Sequence, residues 1–158
     1  MFGFSFKTAT PQIRALTARD AYACAQIHRP AFAHPWSGPD FEALLTAPTT
    51  LGDGAFMSGK LVGLCLARHA AGEAEILTIV VDESVRGKGV GKALMAQNFA
   101  TLAATGVTEV FLEVESGNQA ALRLYTAFGF VKVGERPAYT RMKDGSAALA
   151  LIMRRALA

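Results

Sequence analysis

The passage from residue 75 to residue 106 narrows the fold more than any other part of the chain. Glu75–Asp82 is a near-continuous β-branched and apolar run, the pattern of a strand buried on both faces. It leads into Arg86-Gly87-Lys88-Gly89-Val90-Gly91-Lys92. From Val90 to Thr105 apolar residues, among them Leu94, Phe99 and Leu102, recur at helical spacing until Gly106 offers a C-cap. A buried strand, a glycine-rich turn and a helix in that order predict α/β architecture. The order also predicts an anion site. Glycines let several backbone N–H groups converge, and a helix start adds unpaired N–H groups and the positive end of its dipole. Arg86, Lys88 and Lys92 add charge around it.

Other elements fall on either side. Ile13–Leu16 reads as a short strand, and Thr17 with Asp20 three residues on caps a helix reaching about Ile27. The proline-rich stretch Pro30–Pro39 breaks that pattern, and Ser37 caps a second short helix through Phe41, Leu44 and Leu45. Gly54–Met57 and Leu61–Ala67, parted by Ser58-Gly59-Lys60, predict a hairpin. Val107–Glu115 alternates, with Val110, Leu112 and Val114 on one face and Glu109, Phe111, Glu113 and Glu115 on the other. Asn118–Phe128 is an amphipathic helix stopped by Gly129, and Phe130–Val133 and Ala147–Met153 are the last strands. The expectation is one domain over residues 1–158, with 1–10 a loose lead-in and a mixed sheet of six or seven strands.

Spacing separates the phosphate-binding loops. A Walker loop needs glycine where Arg86 stands and a hydroxyl where Ala93 stands. A dinucleotide fingerprint fails because Gly87-x-Gly89 leads to Lys92 and Gly89-x-Gly91 leads to Leu94. The pattern [RQ]-x-x-G-x-[GA] is met by Arg86, Gly89 and Gly91. In this loop the chain resembles the GNAT N-acetyltransferase superfamily. The resemblance runs from Ile13 to Met153 and is closest to the bacterial ribosomal-protein-alanine N-acetyltransferases of the RimI type. It is carried by Phe32–Ser37, Ile79–Asp82, Leu112-Glu113-Val114, Asn118, Leu124-Tyr125, Phe128-Gly129-Phe130 and Asp144-Gly145.

The resemblance implies a sheet with a splayed parallel strand pair, about four flanking helices and acetyl-CoA as cofactor. Its pyrophosphate would lie on Arg86–Lys92, including Val90. Ile79, Val80 and Val81 would offer backbone contacts to the pantetheine arm and thioester carbonyl. The acceptor would be a protein N-terminal peptide, first that of a ribosomal protein beginning with alanine. A small-molecule amine, a lysine side chain and a non-catalytic acyl-CoA-binding role stand as alternatives.

Acetyl transfer to an amine needs a proton acceptor, since an α-ammonium of pKa about 8 is mostly protonated at neutral pH. It also needs donors for the carbonyl oxygen and the departing thiolate. By position Glu113 corresponds to the family's base, with Glu115 as rival two residues along the same face. A hydrophobic wall such as Phe111 would raise its pKa. The other reading of both carboxylates is a solvated strand face. Tyr125 corresponds to the family's acid at the cofactor sulfur, or is a core tyrosine with a satisfied hydroxyl. Asn118 can cap its helix and also bond the pantetheine arm. Trp36, Glu115 and Tyr139 fall in the acceptor region, although Trp36 can equally anchor the two short helices. The chain departs from the RimI pattern at Arg136-Pro137-Ala138-Tyr139, where paired tyrosines are usual, and at Ser146-Ala147-Ala148, where acidic residues are usual.

Composition excludes other classes. A net charge of +3 without a basic stripe gives no nucleic-acid footprint, and no run approaches the ~20 apolar residues of a membrane span. Cys24 and Cys65 lack metal or CxxC spacing, and His28, His34 and His69 lack ligand spacing, so no metal site is expected. Met1–Lys7 does not read as a secretory leader, and the cytoplasm is the expected compartment.

Overall fold

The computed structural model describes residues 10–141 and 147–157. Seven strands form one sheet in the order β1-β2-β3-β4-β5-β7-β6. They are β1 (Gln12–Ala15), β2 (Thr50–Met57), β3 (Lys60–Ala70), β4 (Glu73–Val81), β5 (Glu109–Glu115), β6 (Val131–Arg141) and β7 (Ala147–Ala156). All neighbours are antiparallel except β4 and β5. Helices α1 (Ala21–His28) and α2 (Gly38–Thr46) cover one face, and α3 (Val90–Ala104) and α4 (Gln119–Ala127) cover the other.

Local chemistry sets the boundaries. Ser37 and Asp40 cap α2 reciprocally: the Ser37 hydroxyl accepts the Asp40 N–H at 3.2 Å, and the Asp40 carboxylate accepts the Ser37 N–H at 2.8 Å. Asn118 accepts the Ala121 N–H at 3.2 Å and starts α4. Both long helices close alike. Gly106 and Gly129 take positive φ, and the next residue donates back into the last turn, Val107 to Leu102 and Phe130 to Tyr125. Thr17 precedes a single 3-10 turn, Ala18–Asp20, before α1 proper begins at Ala21.

Several expectations shift: β2 begins at Thr50 rather than Gly54, β5 begins at Glu109 rather than Val107, and β7 runs to Ala156 rather than Met153. β4 begins at Glu73 and ends at Val81, because Asp82 instead accepts the Ser84 N–H at 2.9 Å and opens a turn. It packs against both core clusters, but Leu77, Ile79 and Val81 are only half-buried. Its register against β3 slips between Leu66↔Thr78 and Ala67↔Ile76, which leaves Leu77 as a bulge. Ile76 and Ile79 therefore face the α3 side while Leu77 and Val80 face the α1 side. Finally, β6 runs on to Arg141 rather than stopping at Val133. It is an edge strand, where Gly134 and Pro137 are accommodated beside irregular pairing.

The core holds one polar pair that periodicity does not reveal. Asn98 of α3, fully buried, donates to the Asp53 carboxylate at 2.9 Å and pins the helix to β2. Burial raises the Asp53 pKa. Cys24 and Cys65 are buried free thiols, with Cys24 pushed up to about 12 by burial, so neither is a reactive thiolate at neutral pH. Among the described residues no helix is long and apolar enough to cross a membrane, and no cluster of three metal-ligating side chains occurs.

Candidate active site

The parallel pair makes the site by coming apart. β4 and β5 pair only over Glu73↔Glu109, Ala74↔Val110 and Glu75↔Phe111. Beyond that, Thr78–Val81 pair outward with β3 and Leu112–Glu115 pair outward with β7. The facing edges are left with backbone donors and acceptors directed into a cleft of about 880 Å³. Unpaired backbone groups beside an apolar cavity suit a ligand with its own amides, since such groups are costly to leave unbonded. Thr78 adds to the wall a buried hydroxyl with no partner among the described residues.

One end of the cleft is the glycine loop. Gly87 and Gly89 take φ of +77° and +79°, a left-handed conformation that lets the chain reverse into α3. The Arg86 side chain donates from Nε to the Val81 carbonyl at 3.0 Å and ties the loop to the end of β4. Part of its charge is thus spent on holding the loop. The N-terminal amides of α3 face the same space, with Gly91 and Lys92 lining it. Lys88 lies exposed on the loop and does not line the cleft. Val80 turns away into the opposite core cluster, so any contact from that position is through its backbone.

Tyr125 of α4, which lines the cleft, is buried, edge-on to Phe130 with ring centroids 6.0 Å apart. Burial pushes its hydroxyl up to about 12, so it stays protonated and can donate. Asn118, Glu113 and Glu115 also line the space. Glu113 does not sit against an apolar wall that raises its pKa. Arg136 of β6 grips both its oxygens, Nε donating to Oε1 at 2.8 Å and the terminal nitrogen to Oε2. Those hydrogen bonds hold the carboxyl below its ordinary range, outweighing the upward push of partial burial. Such a group is a carboxylate throughout the neutral range.

Trp36 does not line the cleft. It stacks on His28 (centroids 4.9 Å, 15°) and meets Phe41 edge-on. Phe32, on the other face of His28 at 4.1 Å, is the aromatic that reaches the cleft, with Ala31 and Ala33 beside it. The Tyr139 backbone belongs to β6, its side chain lies outside the described residues, and so does the Asp144-Gly145 turn. Reasoning from sequence missed three things here: Arg136 against Glu113, Phe32 at the cleft, and His28 as the support of the 29–37 segment. The only sign of Arg136 was that it replaces an expected tyrosine.

His28 carries a testable consequence. It is 2% exposed, and its Nδ1 accepts the Trp36 N–H at 3.1 Å, which requires a neutral acceptor nitrogen. Burial lowers its pKa from the ordinary 6.5. The unfolded chain therefore binds the proton first, and the stability from neutral His28 is complete above pH 6.5 and lost as pH falls toward the lowered value. Melting temperatures recorded from pH 7.5 down to about 5 are expected to fall less in His28→Gln than in the wild type; the lowered carboxylates titrate below that window, and the raised Asp53, which acts with the opposite sign, is common to both proteins.

The profile of the acetyltransferase (GNAT) family matches residues 21–130. Over 141 residues the chain is 39% identical to the N-alpha-acetyltransferase RimI of Mycobacterium tuberculosis, covering 85% of this chain and 87% of that one. It is 31% identical over 133 residues to the [ribosomal protein bS18]-alanine N-acetyltransferase of Escherichia coli K12, covering 84% and 89%. The crystal structure of the ribosomal-protein-S18-alanine N-acetyltransferase from Escherichia coli superposes with a TM-score of 0.85 at 29% identity, over 94% of this chain and 95% of that one. With a splayed β4–β5 pair, a glycine loop at its mouth and these matches along most of its length, the chain belongs to the GNAT family and is a RimI-like N-acetyltransferase.

Proposed function

We propose that the protein transfers an acetyl group from acetyl-CoA to the α-amine of a protein N-terminus, with an alanine-starting ribosomal protein as the first candidate. The observation that carries the donor is the cleft itself, lined by a glycine loop and helix start suited to an anion, by strand backbone left unpaired where β4 and β5 part, and by a protonated tyrosine. The acceptor class rests on likeness along nearly the whole chain to enzymes named for N-terminal transfer.

Gly87–Lys92 and the α3 amides would hold the pyrophosphate, and the free edge of β4 from Thr78 to Val81 would bond the pantetheine amides. The cofactor supplies the activated acetyl thioester. Glu113, a carboxylate at neutral pH, accepts the amine proton through water. The β4 backbone N–H groups would stabilise charge on the carbonyl oxygen. Tyr125 would donate a hydrogen bond to the cofactor's sulfur. Burial raises its pKa to about 12, so it would be protonated when the sulfur departs and would protonate or stabilise the thiolate. Transfer is direct, without a covalent enzyme intermediate. Both buried thiols lie outside the residues lining the cleft, so neither is offered as a nucleophile.

Acceptor identity is tested by comparing the masses of cellular protein N-termini with and without this chain. Loss of acetyl from an alanine-starting ribosomal protein supports the reading, and an unchanged set of N-termini removes it. The loop has its own check. Gly89→Ala places a Cβ at φ +79°, a strain of about 1–2 kcal/mol, and is expected to raise KM for acetyl-CoA roughly tenfold. Gly91→Ala meets only ordinary contacts, 3.7 Å from Val81 and 3.8 Å from Leu124, and is expected to leave KM within about twofold of wild type.

A further inference from the structure

Thr78 is the one polar side chain between Ile76 and Val81 of β4. It is 7% exposed, and its hydroxyl oxygen is screened from solvent with no hydrogen-bond partner among the described residues. A buried hydroxyl in that condition costs stability, whereas a valine of nearly the same shape would carry no such cost. Packing within the protein therefore gives no reason for the oxygen. Thr78 also lines the donor cleft, so a ligand held there can supply the missing partner.

Which ligand that is follows from the face. Thr78 pairs with Leu66 and Val80 with Leu64, and Leu64, Leu66 and Val80 belong to the core under α1 and α2. The Thr78 side chain therefore points to that side of the sheet. Glu113 points the same way, because its neighbours Leu112 and Val114 are buried on the α3 side. The bulge at Leu77 also brings the two residues level. Beyond the last β4–β5 pair, Glu75↔Phe111, Leu77 and Thr78 together take up one step of β4, so Thr78 faces Glu113 across the opening. The glycine loop, Asn118 and Tyr125 line the cleft from α3 and α4, on the other side. An acceptor has the opposite side left to it, the one that carries Thr78 and Glu113.

We propose that the Thr78 hydroxyl receives a hydrogen bond from the acceptor's amine and so fixes the nitrogen beside the water that leads to Glu113. This rests on the reading of Glu113 as the base. A hydroxyl has two lone pairs to receive with, and a turn about Cα–Cβ moves it between staggered positions. One amine N–H is donated to Thr78 Oγ1. Another is donated to the water, which passes a proton on to the Glu113 carboxylate. Thr78 itself gains and loses no proton.

The test compares wild type, Thr78→Val and Thr78→Ser with an alanine-starting peptide. Initial rates with acetyl-CoA are measured beside calorimetric titration of the peptide into the CoA-bound protein and thermal melts. Thr78→Val is expected to lower kcat/KM for the peptide roughly tenfold and to weaken its binding about fivefold, the scale of one hydrogen bond. KM for acetyl-CoA should not change. The melting temperature should equal or exceed that of wild type, since an unpartnered hydroxyl is gone, whereas loss of a structural hydrogen bond would lower it. Thr78→Ser keeps the hydroxyl and is expected to recover most of kcat/KM, although its missing methyl lowers the melting temperature. A Val variant with wild-type kcat/KM and peptide affinity overturns the proposal. So does one whose melting temperature falls, because the hydroxyl then has a partner within the fold. A loss confined to KM for acetyl-CoA overturns it too, because the partner is then the donor. A wild type that acetylates no amine overturns the reading of Glu113 together with the proposal, whereas an active wild type beside an equally active Val variant overturns the proposal alone.

Discussion

Tyr125→Phe is expected to lower kcat by about 10²- to 10³-fold, the usual loss when one preorganised donor is removed from developing charge. KM for acetyl-CoA should move little. The substitution keeps the ring that packs edge-on to Phe130 in the core, so the fold should survive with a melting temperature near wild type. What is lost is the O–H of a residue lining the cleft, held protonated because burial pushes its pKa up to about 12. The effect should appear in kcat and in kcat/KM alike, the mark of an interaction made in the transition state. Initial-rate kinetics beside thermal melts check this. A variant that is stable and turns over at the wild-type rate removes Tyr125 from the mechanism.

Glu113→Gln is expected to cost about 10²-fold in kcat, near the low end for general base catalysis. The end of the range follows from the site. A carboxylate held below its ordinary pKa by a guanidinium is a weak base, though it is ionised at every pH where the enzyme would work. Glutamine keeps the shape and cannot accept the proton. Rates measured against pH should recover partly as pH rises, because more of the acceptor amine, with pKa about 8, is then already deprotonated. A matching loss in Glu115→Gln but not in Glu113→Gln would transfer the role two residues along β5. Glu115 lines the same cleft.

The parts legible in the sequence are those whose signals are local. The loop could be read because Gly87 and Gly89 sit between an apolar run and a helical period, and its backbone takes the left-handed turns those glycines permit. The alternation of β5 placed Val110, Leu112 and Val114 in the core. Ser37, Asn118, Gly106 and Gly129 mark helix ends through bonds only a few residues long. What stayed hidden depends on register and distance. Gly134 and Pro137 read as breaks, yet an edge strand tolerates them, and β6 runs past both. Arg136 reaches Glu113 diagonally across β7, to which both strands pair, at Arg136↔Ala150 and Glu113↔Ile152, which no spacing along the chain announces. The Asn98–Asp53 pair likewise joins residues 45 apart. His28 shows no ligand spacing because its work is to receive one backbone N–H and stack between Phe32 and Trp36.

The fold and the cleft follow from the chain's own residues, whereas the acceptor is a proposal that rests on likeness to named enzymes. The most direct test incubates the purified protein with acetyl-CoA and an equimolar mixture of two peptides. One begins with a free alanine α-amine. The other has the same sequence with that amine blocked and a lysine added. Fragment masses should place a single acetyl group on the α-amine of the first peptide, formed in proportion to free CoA released. Acetyl found on lysine alone, or no transfer to either peptide while acetyl-CoA binds, would contradict the account.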